Sequence, residues 1–152
     1  MRKGGVFLAV VKFKKLDPNA FVPQQMTDGS AGYDLAVLNR TSVLPGQFSS
    51  QPCIAHTGIA MELPKGYYAE VVMRSSLGRD TKIRLCNQVG IIDSDYRGEI
   101  MLYLENIGHH MEIIPEGKRI AQLIIKKCEN LKAEVVDELS VTARGTKGTG
   151  TT

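Results

Sequence analysis

The sequence predicts an all-β domain, a barrel or sandwich of short strands. Apolar runs of five to eight residues recur along the chain, separated by Gly, Pro, Asn and Asp. No stretch of ten or more residues shows helical periodicity with caps. At 152 residues there is room for one domain with a real core, and neither an internal repeat nor a linker divides it.

The first strand is expected over Val6–Phe13. Its apolar run, Val6 to Val11, is far too short to cross a bilayer. Lys12, Lys14 and Lys15 stand where a signal peptide would need small residues for cleavage. A second strand is expected over Ile54–Leu63, with Thr57, Ile59, Met61 and Leu63 on one face and Gly58, Ala60 and Glu62 on the other. Pro64-Lys65-Gly66 turns the chain into a third, Tyr67–Met73, and Ser75 to Asp80 suits a single helical turn. Further strands follow over Lys82–Cys86, Glu99–Asn106, His110–Ile114 and Ile120–Lys127. Leu44-Pro45-Gly46, Asn106-Ile107-Gly108 and Pro115-Glu116-Gly117 mark turns. From Arg144 to Thr152 the chain holds only Arg, Gly, Thr and Lys, which cannot form a core. The expected organisation is a β domain over 1–143 and a flexible tail over 144–152.

Composition narrows the function less than the motifs do. Nineteen Lys and Arg face sixteen Asp and Glu, a net charge of +3. That is too mild to announce a nucleic-acid surface, though it suits a small anionic substrate. Cys53, Cys86 and Cys128 are odd in number and lack paired spacing, which points to a reducing compartment and away from zinc or a disulfide framework. His56, His109 and His110 also fall outside metal-ligand spacings. The reading is a non-secreted protein of cytoplasm or nucleus, cellular or virus-encoded, without membrane or direct nucleic-acid binding.

Five segments carry chemistry. Ala31-Gly32-Tyr33-Asp34-Leu35 sets a carboxylate beside a glycine, and Arg74-Ser75-Ser76-Leu77-Gly78 closes a strand with a cation and two hydroxyls. The stretch from Gly90 through Ile91, Ile92, Asp93, Ser94, Asp95, Tyr96 and Arg97 to Gly98 packs two acids and a tyrosine between glycines. Gln122 interrupts the apolar run after Gly117, and Arg144 opens a basic, glycine-rich end. Singly, each has a plainer reading: Asp beside Gly is commonly a turn residue, and a glycine-rich end is commonly disordered.

In this order and spacing, over Ala31 to Thr152, they resemble the five motifs of the trimeric dUTPases, the Gly90–Gly98 segment most specifically. The resemblance implies a jelly-roll-like (β-clip) subunit, a homotrimer with shared active sites, and hydrolysis of dUTP to dUMP and pyrophosphate. Such an enzyme limits uracil in DNA and supplies dUMP for dTMP synthesis. By the same resemblance, Asn87 and the backbone of Gly90, Ile91 and Ile92 read uracil. Tyr96 packs on the deoxyribose, and Asp93 orients the water that attacks the α-phosphorus. Arg74, Ser75, Ser76 and Gln122 hold the phosphates. Arg144 reaches the γ-phosphate, with Gly148, Thr149, Gly150, Thr151 and Thr152 following over the nucleotide. Mg2+ is expected on the substrate phosphates and water, with Asp34 in its outer sphere.

The family pattern is broken in three places. Thr149 stands where a phenylalanine usually stacks on uracil, so weaker binding or a looser tail is expected. Lys147 replaces a glycine, and Lys118 an acid. Two other readings compete. A dCTP deaminase shares the fold, but its proton-moving glutamate would fall at Tyr103. A regulatory or binding protein of the same fold is supported only by the unusual tail.

Overall fold

The longest strands form where apolar and β-branched residues run without glycine or proline. In the computed structural model, which describes residues 9–129 and 131–148, these are β6 (Tyr67–Met73) and β11 (Arg119–Lys127). They pair antiparallel from Ala121↔Met73 to Lys127↔Tyr67. β2 (Gly32–Ala36) joins the far side of β11 and β8 (Gly90–Ile92) the far side of β6, giving the order β2-β11-β6-β8. A second sheet places β9 (Leu102–Asn106) between β4 (Cys53–Ala55) and β7 (Ile83–Leu85). Two antiparallel pairs complete the architecture. β1 (Lys12–Lys15) lies on β5 (Ile59–Glu62), and β3 (Thr41–Val43) on β10 (Glu112–Ile114). The single α-helix among the described residues is α1 (Ser75–Asp80).

Period-two alternation supplies one shared core. Leu35 from β2, Val71 from β6 and Leu123 from β11 meet Leu102 and Leu104 from β9, Leu85 from β7 and Ile59 from β5. Each fully buried Leu or Ile contributes about 1.5–3 kcal/mol of transfer free energy. The rings of Phe13 and Tyr33 pack edge to face at 5.5 Å, tying β1 to β2. Among the described residues no helix is long and apolar enough to cross a membrane.

The all-β expectation holds, and β6 and α1 fall on their expected residues. Ile54–Leu63 is two strands rather than one: β4 pairs with β9 and β5 with β1, so the chain changes sheets at residues 56–58. Gly58 permits this with φ 65°, and a Cβ there would stand 2.9 Å from the Ala20 Cβ. The first strand sits later than expected, pairing Phe13 with Met61; Val6, Phe7 and Leu8 of the expected run lie outside the described residues. β9 begins at Leu102 rather than Glu99, because Ile100 N–H is drawn to Ile59 O at 2.8 Å. Strands β2, β3 and β8 had no counterpart in the expected set: glycine and aspartate mask the short apolar content of β2 and β8, and β3 is only Thr41-Ser42-Val43.

Candidate active site

β8 and the turn before it build the first half of the site. Gln88 adopts φ 58°, the left-handed region, and Val89 N–H closes onto Asn87 O at 2.5 Å. Such a conformation costs a non-glycine residue about 1–3 kcal/mol and recurs at functional turns. The turn brings Asn87 beside Gly90, where a Cβ would approach Asn87 Nδ2 to 3.4 Å and Val71 Cβ to 3.3 Å. Glycine thus leaves the backbone of β8 open to a ligand. A cavity of about 210 Å3 lies there, with Val71, Leu85 and Leu102 on its core side and Asn87, Asp93, Tyr96 and Glu99 around it. Asp93 is exposed and also borders an open hollow of about 630 Å3 with Lys65, Tyr68 and Arg97, so water reaches it freely.

The loop after β8 is held by its own polar groups. Tyr96 N–H donates to Asp93 O at 3.2 Å, and the Tyr96 hydroxyl to Glu99 O at 3.0 Å. The ring lies over Gly98, where a Cβ would come within 2.6 Å of the Tyr96 Cζ. Glu99 Oε1 accepts from Gly58 N–H at 2.8 Å and Thr57 N–H at 3.1 Å, and its Oε2 meets His56 Nδ1 at 2.9 Å. Burial by itself would raise the Glu99 carboxyl. The hydrogen bond from His56, then those from Gly58 and Thr57, outweigh it and hold the group below its ordinary value.

The second half of the site lies on the other face of the four-stranded sheet. Val71 and Leu123 face the core, so by alternation Val72, Arg74 and Gln122 face away from it, level with Asp34. Arg74 Nε stands 3.3 Å from Asp34 Oδ1, and its Nη1 donates to Arg119 O at 3.3 Å. Ser75 and Ser76 open α1 directly after it. Gly32 makes room for Gln122: a Cβ at 32 would lie 2.9 Å from Gln122 Oε1. Among the described residues none hydrogen-bonds the buried Asp34 Oδ2, a costly arrangement for a carboxylate unless an ion, water or ligand meets it.

A family model described as dUTPase matches residues 19–152. The chain belongs to the dUTPase family. Among its relatives, the deoxyuridine 5'-triphosphate nucleotidohydrolase of Chlamydia trachomatis is 40% identical over 143 residues, covering 92% of this chain and 96% of the relative. That of Rickettsia bellii is 41% identical over 146 residues, covering 93% and 94%. The Staphylococcus bacteriophage 80alpha dUTPase, solved with dUPNHPP, is 25% identical with a TM-score of 0.83, covering 94% of this chain and 98% of that one. The dUTPase of phage phi11 of S. aureus, solved with a structural Mg(II) ion, is 21% identical with a TM-score of 0.77, covering 85% and 97%. The β-clip, jelly-roll-like fold is thus shared with known dUTPases.

In this dUTPase-family chain the motif residues gather into two groups that do not meet. Asn87, Gly90, Ile91, Ile92, Asp93 and Tyr96 surround the cavity. Arg74, Gln122 and Asp34 cluster on the opposite face of the sheet. Arg144 belongs to neither group: it is exposed, and its Nε donates to Lys147 O at 3.2 Å. Gly148 is exposed as well, while Thr149, Gly150, Thr151 and Thr152 lie outside the described residues. Sequence reasoning missed Glu99 and the space that Gly32 keeps for Gln122. An acid placed directly after a loop glycine and ahead of an apolar strand was the one available signal for Glu99.

Proposed function

We propose that the protein is a dUTP diphosphatase, hydrolysing dUTP to dUMP and pyrophosphate by attack of water on the α-phosphorus. The observation that carries this is the cavity at β8, where open backbone, Asn87, Asp93 and Tyr96 converge. Backbone N–H and C=O groups at Gly90–Ile92 and the Asn87 amide complement the donor and acceptor edge of uracil. The Tyr96 ring lies against the sugar and leaves no room for a 2'-hydroxyl. Asp93 orients the attacking water and takes its proton, the role of a general base within reach of solvent.

The triphosphate falls to Arg74, Ser75, Ser76 and Gln122, since phosphoryl transfer is mostly positioning and charge stabilisation. These residues lie across the sheet from the nucleoside cavity of their own chain, which supports a homotrimer whose sites combine the cavity of one copy with the cationic face of another. The described residues after β11 support the same assembly. They form no helix or strand, and Leu131, Val135, Leu139 and Val141 are bare, at 87%, 100%, 86% and 100% exposure. An arm this apolar is suited to lie on a neighbouring copy, carrying Arg144, Gly148, Thr149, Gly150 and Thr151 of the 144–152 tail over its nucleotide.

Mg2+ fits the donors present if substrate supplies most of its ligands. Among the described residues no three His, Cys, Asp or Glu gather for a metal, while Asp34 offers one unpartnered carboxylate oxygen suited to a metal-bound water. The ion would neutralise charge growing on the leaving pyrophosphate. Pyrophosphate release from dUTP, UTP, dTTP and dCTP with Mg2+ tests the reading. Release from dUTP alone is expected, falling about 10²–10⁴-fold in Asp93→Asn. Equal turnover of UTP or dTTP, or full activity in that variant, would refute it.

A further inference from the structure

Glu99 is the most heavily tied side chain near the cavity, yet nothing in the proposed chemistry employs it. Its carboxylate receives Gly58 N–H, Thr57 N–H and His56 Nδ1 at 2.8, 3.1 and 2.9 Å, fixing the link between β4 and β5. The next residue strengthens the same joint: Thr57 Oγ1 donates to Ile100 O at 2.6 Å, and Ile100 N–H to Ile59 O at 2.8 Å. Between these anchors stands the Glu99 carbonyl, which receives the Tyr96 hydroxyl at 3.0 Å. Tyr96 is 41% exposed, and Gly98 beneath it offers the ring no side chain to lie on. The ring's place in the cavity therefore depends on where that carbonyl is held.

We propose that Glu99 is a positioning residue for sugar selection. Its carboxylate bolts residues 96–100 to the turn at 56–58, and its carbonyl thereby sets the position of the Tyr96 ring in the nucleoside cavity. The inference rests on the reading that Tyr96 contacts the deoxyribose. Rejecting a 2'-hydroxyl by steric exclusion requires a wall that does not yield, and a tyrosine tethered at its hydroxyl end yields less than a free one. The phosphate-holding face lies across the sheet and is untouched by this joint, so the effect falls on choice of sugar rather than on triphosphate binding.

The experiment measures kcat/KM for dUTP and for UTP in the wild type, Glu99→Ala, Glu99→Gln, Tyr96→Phe, Tyr96→Ala and the double variant Glu99→Ala/Tyr96→Phe. The dUTP-to-UTP ratio within each preparation is independent of how much of it is folded. In Glu99→Ala the ratio is expected to fall about two- to tenfold, the worth of a typical hydrogen bond. Glu99→Gln keeps most of the ratio, because its Oε1 still accepts from Thr57 and Gly58. In Tyr96→Phe, which lacks the tethered hydroxyl, adding Glu99→Ala changes the ratio no further, a coupling that general destabilisation does not produce. An unchanged ratio in Glu99→Ala, or an equal further fall in the double variant, overturns the proposal. An unchanged ratio in Tyr96→Ala instead overturns the sugar-contact reading, and the proposal with it.

Discussion

Gly98 lies directly beneath the Tyr96 ring, and its replacement separates folding from function at a single residue. An alanine Cβ would stand 2.6 Å from Tyr96 Cζ, so the ring must move. The backbone at 98 is not in the left-handed region, and the displaced group is the far end of an exposed side chain, so stability changes little. Gly98→Ala is therefore expected to melt within a few degrees of the wild type while losing dUTP-over-UTP discrimination. Steady-state kinetics with both nucleotides and a melting curve check this; lost stability with retained discrimination would contradict it. At this scale the motif residues were readable because their chemistry is local: a carboxylate, an amide and an aromatic ring between glycines. Glu99 was not readable, since its partners lie more than forty residues away at His56, Thr57 and Gly58.

Among elements, the link between β4 and β5 shows what period-two reasoning can and cannot give. Alternation placed Thr57, Ile59, Met61 and Leu63 on one face and Gly58, Ala60 and Glu62 on the other; the first four are buried, but so are Gly58 and Ala60, so burial does not separate the faces. Alternation could not show that the strand breaks at Gly58, because a change of partner strand is a tertiary event. β6 and α1 were legible to the residue, since a largely apolar run, broken only by Glu70, ends at Arg74 and a short polar turn follows. β2 and β8 were hidden because the glycines that open them to Gln122 and to a ligand also weaken the strand signal. The link has a pH signature. Glu99 titrates below its ordinary value in the folded chain, so its contribution to stability is fully present above the ordinary carboxyl range and fades as pH falls through the lowered value. Glu62, Glu70 and Asp80 are lowered too, by their partners Lys12, Lys126 and Arg79, so only a difference isolates Glu99. Between pH about 7 and about 3, the melting temperature of Glu99→Gln is expected to fall less than that of the wild type. Parallel curves would show that the carboxylate is not charged in its hydrogen-bonded state.

For the whole molecule, the central feature is that the residues of the proposed site lie in two groups on opposite faces of one sheet. The order of motifs along the sequence singled out the candidate residues of both groups but could not show this separation. Facing direction is set by strand register, Gln122 against Val72 and Asp34, Leu123 against Val71 and Tyr33. The bare apolar side chains of residues 131–141 fit the same account, since a single copy leaves them without cover. Co-refolding tests it most directly. Two inactive variants, Asp93→Asn and Arg74→Ala, are unfolded together in equal amounts, refolded, and assayed for dUTP hydrolysis beside each variant refolded alone. If Asp93 and Arg74 of one site come from different copies, random mixing restores both groups in about a quarter of the sites, and activity returns to about a quarter of refolded wild type. A mixture no more active than its parts, with wild type recovering under the same conditions, would place both groups of each site in one chain and contradict the account.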